Sequence, residues 1–250
     1  MHRNQQAAIL LVSLISFQIS DAHAQTNSAK YELGAGISSF VYQGDLTPSK
    51  LGSYKTMRLG INITGSRIIN RSLMVRLNLA IGGLKGDESK YNTPEYRKQR
   101  NFNFRTPVFE IAPMLVWNLF GKNYADKGLS PYLLGGAGIS ILKIKRDWSN
   151  FNAAYFGDGS DIPGRIAIDA EHSLPGIIPV IPIGVGIRYS ISPSISLTAE
   201  SSYRLTFTDY LDGFSQAANP LQNDNYQTIT IGAAYKLGNK NTLGCPVVKY

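Results

Sequence analysis

Eight segments of about ten residues along this chain alternate apolar side chains with small or polar ones, and a period of two defines β-strands rather than helices. From Met57 to Thr64, for example, Met57, Leu59, Ile61 and Ile63 share one face while Arg58, Gly60, Asn62 and Thr64 share the other. Leu73, Val75, Leu77, Leu79 and Ile81 repeat the pattern against Met74, Arg76, Asn78, Ala80 and Gly82. A chain built almost entirely of such segments folds as a sandwich or as a barrel. The remaining question is which solvent meets the apolar face.

The N-terminus bears on that question. Arg3 precedes the short apolar stretch Ala7 to Phe17, and Ala22-His23-Ala24 then gives a small-x-small cleavage pattern, so residues 1–24 are expected to be a signal peptide. That stretch is too short to span a bilayer, and no other run approaches eighteen apolar residues. Residues 25–238 therefore enter a membrane, if they do so, as strands. The other strands are expected over about 31–39, 104–119, 131–142, 181–191, 195–205 and 228–237. Pro107 and Pro113 sit awkwardly in the fourth, because proline cannot donate to a ladder.

Connection lengths alternate. Residues 69–71, 118–130 and 192–194 make brief or moderate turns, whereas 40–53, 85–103, 143–180 and 208–225 are long. This is the pattern of an eight-stranded antiparallel transmembrane up-and-down β-barrel with four long outer loops and short periplasmic turns. Tyr31, Trp117, Tyr189, Tyr203 and Tyr235 fall near strand ends, where aromatic girdles belong. A soluble ligand carrier of the same strand number would reverse the faces and turn its aliphatic row inward.

The row opposite the aliphatics carries Glu110, Glu200, Arg58, Arg76, Arg188, Arg204 and Lys236. In a narrow lumen these charges are expected to pair. The pairing is open to two readings, a gated pore or relay and a structural salt-bridge core that fills the barrel. The net charge of +8 is scattered over loop residues such as Lys85, Lys90, Arg97, Lys143 and Lys145. With no basic helix or aromatic-basic platform, this points to lipid headgroups or plain solubility and away from nucleic acid.

Catalytic and metal signals are thin. After cleavage the only histidine is His172, in the third long loop beside Ser173, and most loop histidines are merely solvated. Asp158, Asp161 and Asp169 lack EF-hand spacing, so no metal or other cofactor is expected. The lone Cys245 forbids an internal disulfide and lies in a basic tail, 239–250, expected in the periplasm.

Four stretches together resemble a family. They are Tyr42-Gln-Gly-Asp-Leu46, Phe109-Glu-Ile-Ala-Pro-Met-Leu-Val-Trp-Asn118, Ser130-Pro-Tyr-Leu-Leu-Gly-Gly-Ala-Gly138 and Thr208-Asp-Tyr-Leu-Asp-Gly213. They look like the small outer-membrane barrels of Bacteroidetes, OmpA-type in strand number, and in particular the PorG-like group. That resemblance implies a non-enzymatic barrel in the outer membrane, surrounded by phospholipid and lipopolysaccharide. It also implies a structural or anchoring role in a type IX-like protein secretion assembly, with periplasmic ring proteins as partners. It transfers no catalytic residues. Tyr42, Gly44 and Asp45 are expected to shape the first outer loop and Asp209, Tyr210 and Asp212 the fourth, while Cys245 is a candidate periplasmic contact. A passive surface protein, acting as adhesin or narrow pore, and a lipid-modifying enzyme are the alternatives.

Overall fold

The structure, a computed structural model, describes residues 30–49 and 51–237; the expected signal segment and the tail with Cys245 lie outside the described residues. Its strands are β1 (Tyr31–Gln43), β2 (Arg58–Ile68), β3 (Leu73–Asp87), β4 (Asn103–Asn118), β5 (Gly128–Gly136), β6 (Gly138–Leu142), β7 (Lys145–Asp147), β8 (Ile177–Ser190), β9 (Ile195–Thr206) and β10 (Asn225–Leu237). β5, β6 and β7 are consecutive pieces of one stave, because all three run along β4 in a single register from Asn118↔Tyr132 to Asn103↔Asp147. Eight antiparallel staves result. β1 closes the ring on β10, from Tyr31↔Leu237 to Gln43↔Asn225. Closure removes sheet edges, which is the condition lipid imposes on a spanning sheet. No described helix is long and apolar enough to cross a membrane.

The stave in pieces has a physical cause. Ala137, the break between β5 and β6, donates to the carbonyl of Pro113, and Lys143, the break between β6 and β7, donates to that of Pro107. Neither proline has an N–H to return, so each of these pairs is held by one bond instead of two. The two prolines that look misplaced in the sequence are accommodated inside the wall by interrupting its neighbour.

Outward positions are aliphatic around the ring. Leu33, Ile37, Leu59, Ile61, Val75, Leu77, Leu115, Ile183, Val185 and Ile231 are all exposed. Tyr31, Trp117, Tyr189 and Tyr235 stand half-exposed at the rim with the short turns, while Tyr203 lies nearer the opposite rim. An apolar belt of this extent, wrapped around a polar interior, is the surface of a membrane-spanning barrel and the reverse of a soluble carrier.

Several strands run further than their sequence pattern shows. β1 continues to Gln43, β3 to Asp87 and β10 begins at Asn225. At about 3.3 Å per residue β3 is roughly 50 Å long, whereas nine to eleven tilted residues cross a bilayer. The excess stands clear of lipid at the end with the long loops. There the alternation changes phase: Lys85, Arg105 and Gln227 point outward, while Phe40, Tyr42, Leu84, Phe104 and Tyr226 are buried inside. These inward rings join Leu46, Phe102, Leu211 and Phe214 from the loops in one core. The long loops thus form a folded cap, with helices α1 (Glu95–Arg100) and α3 (Ile162–Glu171) each burying side chains in it, while the short helix α2 (Ala153–Phe156) buries none.

Candidate functional site

Mid-barrel, the inward row becomes a set of ion pairs. Arg204 grips Glu110 with two nitrogens, Nε to Oε2 at 3.0 Å and Nη2 to Oε1 at 3.1 Å. The Tyr226 hydroxyl donates to the same carboxylate at 2.8 Å, and Arg204 also donates to the Ser202 and Thr228 hydroxyls. Arg76 meets Glu200 at 2.7 Å, and Arg188 meets Glu32 at 2.7 Å. The Tyr132 ring lies between the second and third pairs, 5.6 Å from the Arg76 guanidinium carbon and 5.9 Å from that of Arg188. Glu32, which the sequence row of charges does not include, lies on the inward face of β1 and balances the third arginine. Toward the turn end Ile68, Met74, Met114, Val116 and Leu134 close the lumen with an apolar plug. Beside Arg76 and Glu200 there remains a cavity of only about 10 Å³, about one water probe in size.

Arg58 does not belong to this network. It is exposed, because the β2–β3 pairing runs only from Ile61↔Ile81 to Ile68↔Met74 and β2 parts from β3 above Ile61. Arg58 is still paired with Phe40 of β1, so it is the loss of β3 on the other side that opens its inward-parity position to solvent.

The cap brings the other singled-out residues together. The Tyr42 hydroxyl stands 2.7 Å from Asp212 Oδ2 and 2.6 Å from Asp224 Oδ1, all three side chains being buried. A phenol has one proton, so it donates to one carboxylate, and the other must carry a proton of its own to make the second short contact. Burial pushes both aspartates well above the usual carboxylate range, and the negative charge of Asp212 pushes Asp224 further the same way. Asp224 Oδ2 further accepts the N–H of Leu211, and Asp212 Oδ1 that of Phe214, so both carboxyls stitch the fourth loop to β1. The charges of Asp45 and Asp209 raise this pair a little more, and burial raises Asp209 and Asp45 themselves to about 7 and about 6.

Gly44 lies against the triad, where a Cβ would fall on Asp224 Oδ1 and the Tyr42 hydroxyl. Gly44→Ala is therefore expected to push Asp224 aside and loosen the cap by about 1 kcal/mol or a little more, as overpacking does. Faster tryptic cleavage in the second loop, with the barrel intact, checks this.

Elsewhere in the cap, Glu88 is fully buried under Arg100 and Arg97, with Arg100 Nη2 at 2.6 Å. Asp169 from α3 accepts the backbone N–H groups of Ser215, Gln216 and Ala217. Among the sequence-level metal candidates Asp169 is thus committed to the fourth loop, and Asp161 sits exposed against Arg165 at 3.6 Å. Among the described residues no group of His, Cys, Asp and Glu is arranged to hold a metal. His172 stacks flat on Tyr210 at 4.0 Å between ring centroids. Sequence reasoning missed a polar cleft of about 380 Å³ at the cap surface, lined by Asp45, Tyr96, Arg97, Arg100, Asn219 and Gln222. Its residues come from three loops, and no linear motif announces it. Asp45 Oδ2 and Arg97 Nε are buried there without a partner among the described residues.

These features define a membrane-spanning eight-stranded barrel whose lumen is filled and whose loops are folded. The chain belongs to the family described as domain of unknown function DUF6089, whose model matches residues 7–239. No curated protein matches it. Among solved structures it is similar to the attachment invasion locus protein Ail of Yersinia pestis, at 14% identity and TM-score 0.45, over 84% of this chain and 99% of that one. It is also similar to Neisserial surface protein A, at 15% identity and TM-score 0.44, over 85% and 100% of the two chains. A third is OprG of Pseudomonas aeruginosa, at 10% identity and TM-score 0.43, over 85% and 98%. At these values the likeness is one of general form.

Proposed function

We propose that this chain is a non-enzymatic outer-membrane barrel that acts through its two ends as an interaction protein, and specifically as an anchoring component of a type IX-like secretion assembly. The observation that carries the interaction reading is the filled lumen. Three arginines and three glutamates neutralise one another across the barrel, apolar plugs lie above and below, and the cap is packed. A wall of this kind favours the structural salt-bridge core over a relay or gated pore. His172, lying flat on Tyr210, is poorly disposed to serve as a base beside Ser173. The secretion role is supported by the PorG-like stretches around Tyr42, Glu110, Ser130 and Asp209. In that arrangement the turns at 69–72, 119–127 and 191–194 and the tail with Cys245 face the periplasmic ring, and the cap faces outward.

Affinity purification of the tagged protein from mildly solubilised outer membranes tests this. Recovery of periplasmic ring or other secretion components is the expected result, and a Cys245→Ser variant will show whether that thiol crosslinks them. A barrel that emerges with lipid alone removes the secretion role. A second reading, a surface protein that binds a small polar ligand, is favoured by the cap cleft with its unpaired Asp45 and Arg97 atoms.

A further inference from the structure

Where β2 leaves β3, the outer wall opens into a groove of about 230 Å³. Leu59, Ile61, Ile81 and Pro107 line it with apolar surface, Gly82 and Gly83 give it depth, and Arg58 and Arg105 complete its lining. Both arginines are exposed, and neither meets a carboxylate among the described residues. Ile81 belongs to the lipid-facing belt and Lys85, Arg105 and Lys145 lie just beyond it, so the groove straddles the height at which hydrocarbon gives way to headgroups. We propose that this groove seats a phosphorylated lipid of the surrounding leaflet, with its phosphate on Arg58 and Arg105 and an acyl chain along Leu59 and Ile81. The proposal rests on the membrane orientation given above, and adds a specific lipid partner to it.

Charge placement argues for an anion here. Lys85, Arg105 and Lys145 are direct cross-strand neighbours on one face, Lys85↔Arg105 and Arg105↔Lys145. Like charges opposite one another destabilise a sheet unless a counter-charge offsets them. Lys85 finds Asp87 at 3.2 Å, and the row beyond, Asp87–Asn103–Asp147, lies further from the bilayer. Arg105, Lys145 and Arg58 keep their charge for a ligand. Guanidinium groups bind phosphate in bidentate fashion, and a pair at the end of an apolar groove matches a headgroup attached to a chain better than it matches either part alone. A free anion would gain nothing from Leu59 and Ile81, and an uncharged lipid would gain nothing from the arginines.

The test uses the full-length protein folded in dodecyl maltoside and titrated with lipid A, with bound lipid counted by native mass spectrometry. The same titration is run with lipid A whose phosphates have been removed, and with millimolar inorganic phosphate as competitor. Arg58→Gln/Arg105→Gln is the test variant, Lys122→Gln at the turn end the control, and heat-dependent gel mobility shows that each is folded. One retained lipid A is expected, weakened about tenfold or more by the double substitution and equally by dephosphorylation, tenfold being the loss of about one charge-assisted contact. Equal retention by the double variant, or of the dephosphorylated lipid, overturns the proposal. So does complete displacement by inorganic phosphate, which would make the arginines a simple anion site. Because the readout is lipid, it stands or falls separately from the copurification of secretion proteins.

Discussion

Glu110→Ala will lower the unfolding free energy of the barrel by about 3–5 kcal/mol, the usual result of stripping one partner from a buried ion pair. The side chain is fully buried and accepts two guanidinium contacts from Arg204, one from the Tyr226 hydroxyl and a longer one from Asn78, so its removal strands the Arg204 charge while Tyr226 keeps only Ser140. Arg204 is only 2% exposed, so water cannot replace the carboxylate without opening the wall. The companion variant Glu110→Leu/Arg204→Met separates the strength of the pair from the cost of orphaning a charge. Replacement of both partners by apolar groups is often close to neutral, and here it should recover most of the loss. Urea unfolding in detergent, followed by the heat-dependent gel shift, gives both values. A Glu110→Ala effect below about 1 kcal/mol would mean that the lumen is hydrated after all, since only solvent can screen a charge so cheaply.

The spanning part of this molecule was legible because lipid imposes one rule on every strand. Parity alone assigned Arg76, Arg188, Arg204, Glu110 and Glu200 to the interior, and the structure pairs each of them there. Arg58 obeyed the same parity and is exposed, because β2 parts from β3 above Ile61 and no residue within β2 signals that point. Above the membrane the rule inverts. Phe40, Tyr42 and Tyr226 occupy inward positions that are small or polar lower down, so the strand extensions read as loop. The cap was legible only as a set of residues. Tyr42 and Asp212 were singled out together, but Asp224, which completes their triad from the far end of the fourth loop, has no neighbour in sequence to mark it. Partners 170 and 182 positions apart are brought together by barrel closure, not by a motif.

That triad makes the cap pH-dependent, and the sign follows from the two aspartates. Both titrate higher in the folded cap than the ordinary carboxylate value of about 3.9 that they return to when the loops open. Below that value the carboxyls are protonated in both states and the cap has its full stability. As pH rises the open form releases protons that the closed form keeps, so cap stability falls with pH. Asp45 and Asp209, raised to about 6 and about 7, extend the decline across the neutral range. Hydrogen exchange in the fourth loop, corrected for the intrinsic rate, should therefore report a more open cap at pH 8 than at pH 5.5. Asp224→Asn removes much of this slope. Its oxygen can keep the N–H of Leu211 while its amide donates to the Tyr42 hydroxyl, which then donates to Asp212, so the three groups are satisfied with no borrowed proton. Tyr42→Phe does the opposite and leaves two buried carboxyls facing each other without a bridge, loosening the cap by about 1–3 kcal/mol. A cap equally protected at both pH values, in the native protein and in Asp224→Asn, would show that the second short contact is held by something other than a shared proton.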